Sequence, residues 1–366
     1  MTNKIQDAFL ILLKMGLWNE YNSSISEFSL NAEDWSLIFE VAVSQTVEGI
    51  VYEGILLMPS NLFPPHDLLF RWTARLDTIE RNNKKMRETI SVLSKGFQKN
   101  NIDFILLKGL GLAENYHNPL SRVSGDIDLF FCNKDLFNKA NQLLTSRNYK
   151  VYPGDHHSTF YTFNGVEVEH HTKMVDIFNP FRQKYIDRLL REDKPCFLEF
   201  HGATVRIPSY ILNQVQANAH ILKHYMGFGI GLRQFCDIAR LCFKKPESFD
   251  GEKLRNIYKT LKIDSWMNVI HNFMVNELGL PKNKLPYQIE SSIDTSWLMH
   301  DVLASGNFGF HDVRFRNGEA NLSERYDKRD NAHKRILPHI KRLIRYAPYE
   351  VIWYPVNKIY TKISGR

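Results

Sequence analysis

Asp126 and Asp128 stand two residues apart in Ser124-Gly125-Asp126-Ile127-Asp128-Leu129-Phe130-Phe131, a segment that otherwise reads as a buried strand. Side chains alternate faces along a strand, so residues i and i+2 point the same way, roughly 6.5–7 Å apart. Two carboxylates on one face repel each other unless cations fill the space between them. Mg2+ suits such a patch, because it takes one or two carboxylates together with phosphate oxygens and water. The pair therefore predicts a centre for metal-dependent phosphoryl or nucleotidyl transfer.

The elements around the pair fit that chemistry. Ile102 to Leu107 is an apolar run that reads as a strand ending at Lys108-Gly109, and Leu110 to Tyr116 suits a short helix. Asn118-Pro119 signals a turn, and Arg122 arrives four residues before Asp126. Backbone N–H groups at the turn and helix start, with Lys108, Gly109, Arg122 and Ser124, are the expected nucleotide contacts. A third carboxylate is expected on a neighbouring strand. Phe160 to Phe163, then Asn164-Gly165, then Val166 to His170 reads as a hairpin, since Asn-Gly favours a two-residue turn. Glu167 and Glu169 share the face opposite Val166 and Val168. Glu169 lies further from the turn and is the expected third ligand and general base, with Glu167 and Asp176 as substitutes.

Taken together, Leu107-Lys108-Gly109, Arg122, Gly125 to Leu129 and Glu169-His170-His171 resemble a bacterial family of uncharacterised nucleotidyltransferases in the polymerase-beta-like superfamily. The resemblance continues through His220-Ile221-Leu222-Lys223-His224 and Gly229 to Asp237. It implies an α+β fold, with a small mixed sheet backed by helices. It also implies transfer of a nucleoside monophosphate from an NTP, with two divalent ions, Mg2+ or Mn2+. Asp126, Asp128 and Glu169 take the carboxylate roles by that match. It places His171 in the substrate cleft and lets Arg233 and Asp237 buttress or line the site. One departure stands out: the superfamily usually has Gly-Ser or Gly-Gly after the first strand, about a dozen residues before the aspartates. Here Gly109-Leu110 takes that place, 17 positions before Asp126, with no hydroxyl after the glycine.

Other features have plainer readings. His220 and His224 are four apart on a predicted helix, a spacing that can bind zinc. No Glu lies between them and no third ligand is evident, so they are read as facing a polar cleft or a helix neighbour. His156-His157 lies beside the hairpin and could line the cleft. Arg233 and Asp237, also four apart, could form an intrahelical ion pair.

Of the 366 residues, the first hundred look helical, including one long helix from His66 to Phe97. The expected units are a helical region at 1–100, the α+β catalytic core at 101–207, a second helical region at 208–322 and a basic tail at 323–366. No apolar run reaches the roughly 20 residues that span a membrane. No signal peptide is evident, and four cysteines without Cys-x-x-Cys spacing read as reduced thiols in a cytoplasmic protein. The formal charge of +7 resides in the tail, where residues 324–366 hold 11 Lys+Arg and 4 Asp+Glu. Global basicity is thus no argument for nucleic-acid binding by the core. Ile336, Ile340, Leu343, Ile344 and Ala347 form an apolar stripe among basic residues. It is expected to pack on the protein, with peripheral contact to an anionic membrane or RNA as the alternative. The leading function is nucleotidyl transfer to a hydroxyl of a small molecule, sugar, protein or RNA end. A non-catalytic nucleotide-binding module and a toxin or antitoxin that transfers AMP to protein are the competing readings.

Overall fold

The computed structural model describes residues 2–154, 157–175, 177–227, 229–289, 291–312 and 332–363. His156 and Asp176, both weighed above, lie outside the described residues. Four helices come first: α1 (Asn3–Trp18), α2 (Ala32–Ser44), α3 (Glu48–Leu56) and α4 (His66–Gln98). The start of α2 is a capping box in which the Asn31 side chain accepts from Asp34 N–H and Asp34 accepts from Asn31 N–H. Strands and short helices follow: β1 (Ile105–Leu107), α5 (Gly109–Ala113), β2 (Ile127–Phe130), α6 (Lys134–Ser146), β3 (Tyr152–Pro153), β4 (Ser158–Phe163) and β5 (Val166–His171). Next come α7 (Pro180–Glu192), β6 (Cys196–Phe200) and β7 (Ala203–Ile207). The remainder is helical: α8 (Tyr210–Gly227), α9 (Leu232–Phe243), α10 (Gly251–Leu261), α11 (Asp264–Asn276), α12 (Ser296–Ser305), α13 (Ala332–Leu343) and α14 (Pro348–Ile363). The fold is α+β, as expected.

The main sheet has the order β1-β2-β5-β4-β3, with β2 and β5 parallel and the other neighbours antiparallel. The β4–β5 hairpin turns at Asn164 and Gly165, both with positive φ, which is the backbone that Asn-Gly tolerates best. β6 and β7 form a separate hairpin. Alternation along the strands divides the interior in two. Leu106, Ile127, Leu129, Val166 and Val168 face a smaller core completed by α6, the β6–β7 hairpin and Met86, Ile90, Leu93 and Phe97 of α4. Ile105, Leu107 and Phe130 face the larger core, which α4 enters through Leu68 and Trp72. One long helix thus ties both cores together, and Asp128 lies on the sheet face that looks toward the helices.

Side chains from 5 to 354 share the larger core, so the helical regions on either side of the sheet pack as one body. Gln45 Nε2 donates to Val302 O at 3.0 Å and Arg240 Nη1 to Leu17 O at 2.9 Å, tying the first helices to the later ones. The four cysteines are free, and among the described residues no helix is long and apolar enough to cross a membrane.

The last helix docks through a buried acid. Glu350 accepts from the backbone N–H of Phe178 at 2.6 Å and of Asn179 at 3.4 Å, just ahead of α7. Burial pushes its carboxyl up to about 7 against the pull of those hydrogen bonds. A carboxyl raised on folding stabilises fully below its unfolded value of about 4.5, and that contribution fades as pH rises through about 7. Glu350→Gln keeps an acceptor oxygen without the charge. Thermal melts should show the wild type losing up to about 3 kcal/mol across that window, and the variant losing less. Superimposable pH profiles would refute this docking account.

Candidate active site

Parallel pairing of β2 with β5 sets Asp128 opposite Glu169 and Phe130 opposite His171. Neighbouring residues in register share a face, and Glu169 and His171 are two apart, so all three polar side chains converge. His171 Nε2 lies 2.6 Å from Asp128 Oδ1 and 3.6 Å from Glu169 Oε2. One ligand atom from each of Asp128, Glu169 and His171 falls within 4.8 Å of the others. Glu167, nearer the turn, is opposite Thr162 and exposed, which favours Glu169 as the inward acid. His170 points the other way: its ring nitrogens meet Asn141 Oδ1 at 2.8 Å and the Tyr161 hydroxyl at 3.0 Å among aromatic rings. It is a packing residue.

The electrostatics of the two aspartates differ in sign. Asp126, just before β2, has its carboxyl pushed up to about 6, first by the charge of Asp128 and then by burial, with Glu169 adding to the effect. Lys108 and Arg233 oppose this from nearby. Burial also acts to raise Asp128, yet the Lys108 charge and the His171 hydrogen bond win and hold it well below the usual carboxylate range. Lys108 Nζ lies 3.7 Å from Asp128 Oδ1. Two carboxylates and an imidazole with ligand atoms within 4.8 Å of one another are a donor set that a divalent cation accepts. The residues present therefore fit a divalent ion.

Helices α8 and α9 bring a cationic wall toward these acids. His220 has its basicity depressed by burial and then by the charges of His224, Lys108, Lys223 and Arg233. The His220 and His224 rings are 4.2 Å apart, and Phe308 lies 4.7 Å from His224. No acid joins the two histidines among the described residues that could complete a metal set. Arg233 donates to Val123 O at 2.7 Å, and burial lowers its guanidinium to about 10.

Arg122, Ser124 and Asp237 have a different place from a phosphate contact. Arg122 makes a two-pronged pair with Asp237 (Nε–Oδ1 2.8 Å, Nη2–Oδ2 2.6 Å), and both side chains are only 5% exposed. Its remaining nitrogen donates to Val123 O and Ser124 Oγ, both at 3.1 Å. The Tyr116 hydroxyl donates to Asp237 as well, at 2.8 Å. Asn83 of α4 donates to the carbonyls of Leu120 and Arg122 at 2.6 and 2.8 Å. The loop that delivers Asp126 is therefore held from α4 and α9, with Tyr116, just after α5, bracing Asp237. Asp237 pairs with Arg122 rather than with Arg233, and the guanidinium of Arg122 is fully committed inside the protein. Sequence reasoning missed Asn83 and Tyr116, because nothing local marks a buried Asn or Tyr as a loop clamp. Lys223 sat inside the quoted His-Ile-Leu-Lys-His stretch without being singled out.

Gly109 packs beside the Asp126 backbone, where an added Cβ would meet Asp126 O at an ordinary 3.5 Å. The strained position is its neighbour: Lys108 has φ 47° and ψ −134°, a conformation that L residues rarely adopt. Such strain costs on the order of 1–3 kcal/mol and gathers at functional sites. Lys108→Gly and Lys108→Ala both remove the ammonium, so their difference isolates the backbone. In thermal melts the Gly variant should be the more stable by about 1–2 kcal/mol. An Ala variant as stable as the Gly variant would contradict the strain.

Among solved structures, an antigenic nucleotidyltransferase-like protein from Paracoccidioides brasiliensis matches over 53% of this chain and 92% of its own, at 18% identity and a TM-score of 0.36. No curated protein matches the chain. Residues 31–267, more than half of the chain and every ionisable residue of the site described above, match the family described as uncharacterised nucleotidyltransferase. The chain belongs to that nucleotidyltransferase family.

Proposed function

We propose that the protein transfers a nucleoside monophosphate from an NTP to a hydroxyl acceptor, using two divalent ions, Mg2+ or Mn2+. The observation that carries this reading is the convergence of Asp128, Glu169 and His171 within 4.8 Å, beside an Asp126 whose carboxyl is raised by the charge of Asp128. Asp126, Asp128 and Glu169 are the proposed metal ligands, and His171 orients Asp128 through its 2.6 Å hydrogen bond. The bound ions supply charge neutralisation at the phosphates and polarise the attacking and leaving oxygens.

The chain's own residues do the rest. Lys108 and Arg233 present positive charge to the phosphates, with Lys223 and His220 on the same wall. Glu169, partly exposed at the mouth of the site, accepts the proton of the acceptor hydroxyl. The hydroxyl oxygen then bonds to the α-phosphorus, and the bond to pyrophosphate breaks. Burial of Asp128 strengthens the charge interactions made there. The acceptor is a small molecule, sugar, protein side chain or RNA end.

A pyrophosphate-release screen with each NTP and Mg2+, run beside calorimetric titration of the same NTPs, tests the proposal. Release that disappears in Asp128→Asn supports transfer. Binding without release for every NTP would replace it with the non-catalytic module.

A further inference from the structure

The apolar stripe that the tail sequence suggests is not the one left open. Leu343 and Ala347 are buried, while Ile336 and Ile340 pack partly against the larger core. Arg342 pairs with the buried Asp301 and lies over Trp297, and Trp297 stacks on Tyr346 at 6.1 Å. So α13 is fastened down, as the plainer reading expected for that stripe, except at Ile344, which is exposed. The open stripe is on α14. Tyr349, Ile352, Val356 and Ile359 are 46–59% exposed at spacings of three, four and three, which places them on one helix face. The opposite face is fixed by buried Val351 and Tyr354. Phe181 of α7, among the most exposed large apolar residues, meets the Trp353 ring at 5.4 Å and continues the patch beyond the helix. Exposed apolar side chains are usually scattered singly; a contiguous run marks a contact surface.

Charge narrows the occupant. Residues 332–363 contain 7 Lys+Arg and a single acid, Glu350, which is buried against α7. Lys341 and Arg345 of this segment are exposed, as are the apolar Leu337 and Ile344. A second copy of the chain would bring like charges together at the contact, which is unfavourable. Single-stranded RNA would satisfy the cations but has no use for an Ile-Val-Ile face, since nucleobases stack on aromatic rings. An anionic bilayer satisfies both, with acyl chains for the stripe and headgroup phosphates for the cations. Aromatic residues beside the stripe, Trp353 and Phe181, suit the headgroup level.

We propose that α14 lies in the surface of an anionic lipid bilayer, with Tyr349, Ile352, Val356 and Ile359 in the acyl boundary and Lys341 and Arg345 among the headgroups. The attachment is peripheral and independent of nucleotidyl transfer. It is tested with the full chain by co-sedimentation with vesicles of phosphatidylcholine alone or with about a quarter phosphatidylserine. The protein should partition at least about tenfold better onto the anionic vesicles. The pair Ile352→Glu and Val356→Glu, both on exposed positions, should lower that partitioning at least about tenfold without changing the melting temperature. Lys341→Glu with Arg345→Glu should remove the preference for anionic over neutral vesicles. Equal partitioning of wild type and the Ile352→Glu, Val356→Glu pair would overturn the proposal. So would poly(U) binding without vesicle binding, which points to RNA, or dimerisation abolished by the stripe variant without vesicle binding, which points to a second copy.

Discussion

Asp128→Asn should lower the rate of pyrophosphate release at least about a thousandfold, the equivalent of about 4 kcal/mol of transition-state stabilisation. On the proposed function this carboxylate is a metal ligand that cannot be replaced by a neutral amide of the same shape. The apo protein should report the two aspartates separately. Asp128 is held ionised by Lys108 and His171, so its neutralisation leaves that cation less well compensated and lowers stability. Asp126 is penalised by its charged neighbour and by burial. Its contribution runs the other way: a carboxyl raised on folding weakens the fold as pH climbs from about 4 through about 6. Asp126→Asn should therefore stabilise the metal-free protein at pH 7 by roughly 1–3 kcal/mol while also removing activity. At pH 4 that gain should vanish. Opposite signs for the two variants in metal-free melts are a result that two ordinary surface acids would not give.

Asp237→Ala is the largest expected loss of stability. It leaves the Arg122 guanidinium buried without its carboxylate, a change that costs about 3–5 kcal/mol. The Tyr116 hydroxyl loses its acceptor at the same time. For contrast, Asp77 and Arg81 pair at 2.9 Å on the open surface of α4, and Asp77→Ala should shift stability by less than about 1 kcal/mol. Denaturant titrations of both variants make the comparison directly. A similar small shift at both positions would mean that the Arg122–Asp237 pair is not buried as described. Asp237→Asn, which keeps the size and one acceptor oxygen, should fall between them. Because Arg122 also holds Val123 O and Ser124 Oγ, residual activity in the Asn variant should decline further than its stability does.

Some of this arrangement is legible in the residues alone. The apolar run around Asp128 identifies a buried strand, although it begins at Ile127 and leaves Asp126 in the preceding loop, and Asn164-Gly165 marks the hairpin that carries Glu169. α4 runs unbroken, as its pattern requires. The partnership of β2 with β5 is less accessible. These strands are parallel and far apart in sequence, so the register that places Glu169 opposite Asp128 is a tertiary fact. His171 is similar: resemblance brings it to the cleft, but only the register brings its Nε2 onto Asp128. The bidentate pair of Arg122 with Asp237 spans 115 residues, and an arginine just upstream of paired aspartates invites the phosphate reading instead. The strained backbone of Lys108 leaves no compositional mark, since the glycine that would advertise such a φ is the next residue. In the tail, periodicity locates the apolar stripe on α13 that packs inward and passes over the one on α14. A stripe records amphipathicity and says nothing about which partner covers it.

On the proposed function, Asp128 and Glu169 on neighbouring strands, with Asp126 just ahead of β2, hold divalent ions for a triphosphate. Titration of Mn2+ into the protein, followed by electron paramagnetic resonance in the presence of a non-hydrolysable NTP, tests it most directly. The account predicts saturable binding by the wild type that weakens at least about tenfold in Asp128→Asn and in Glu169→Gln. Undiminished Mn2+ binding in both variants would contradict it.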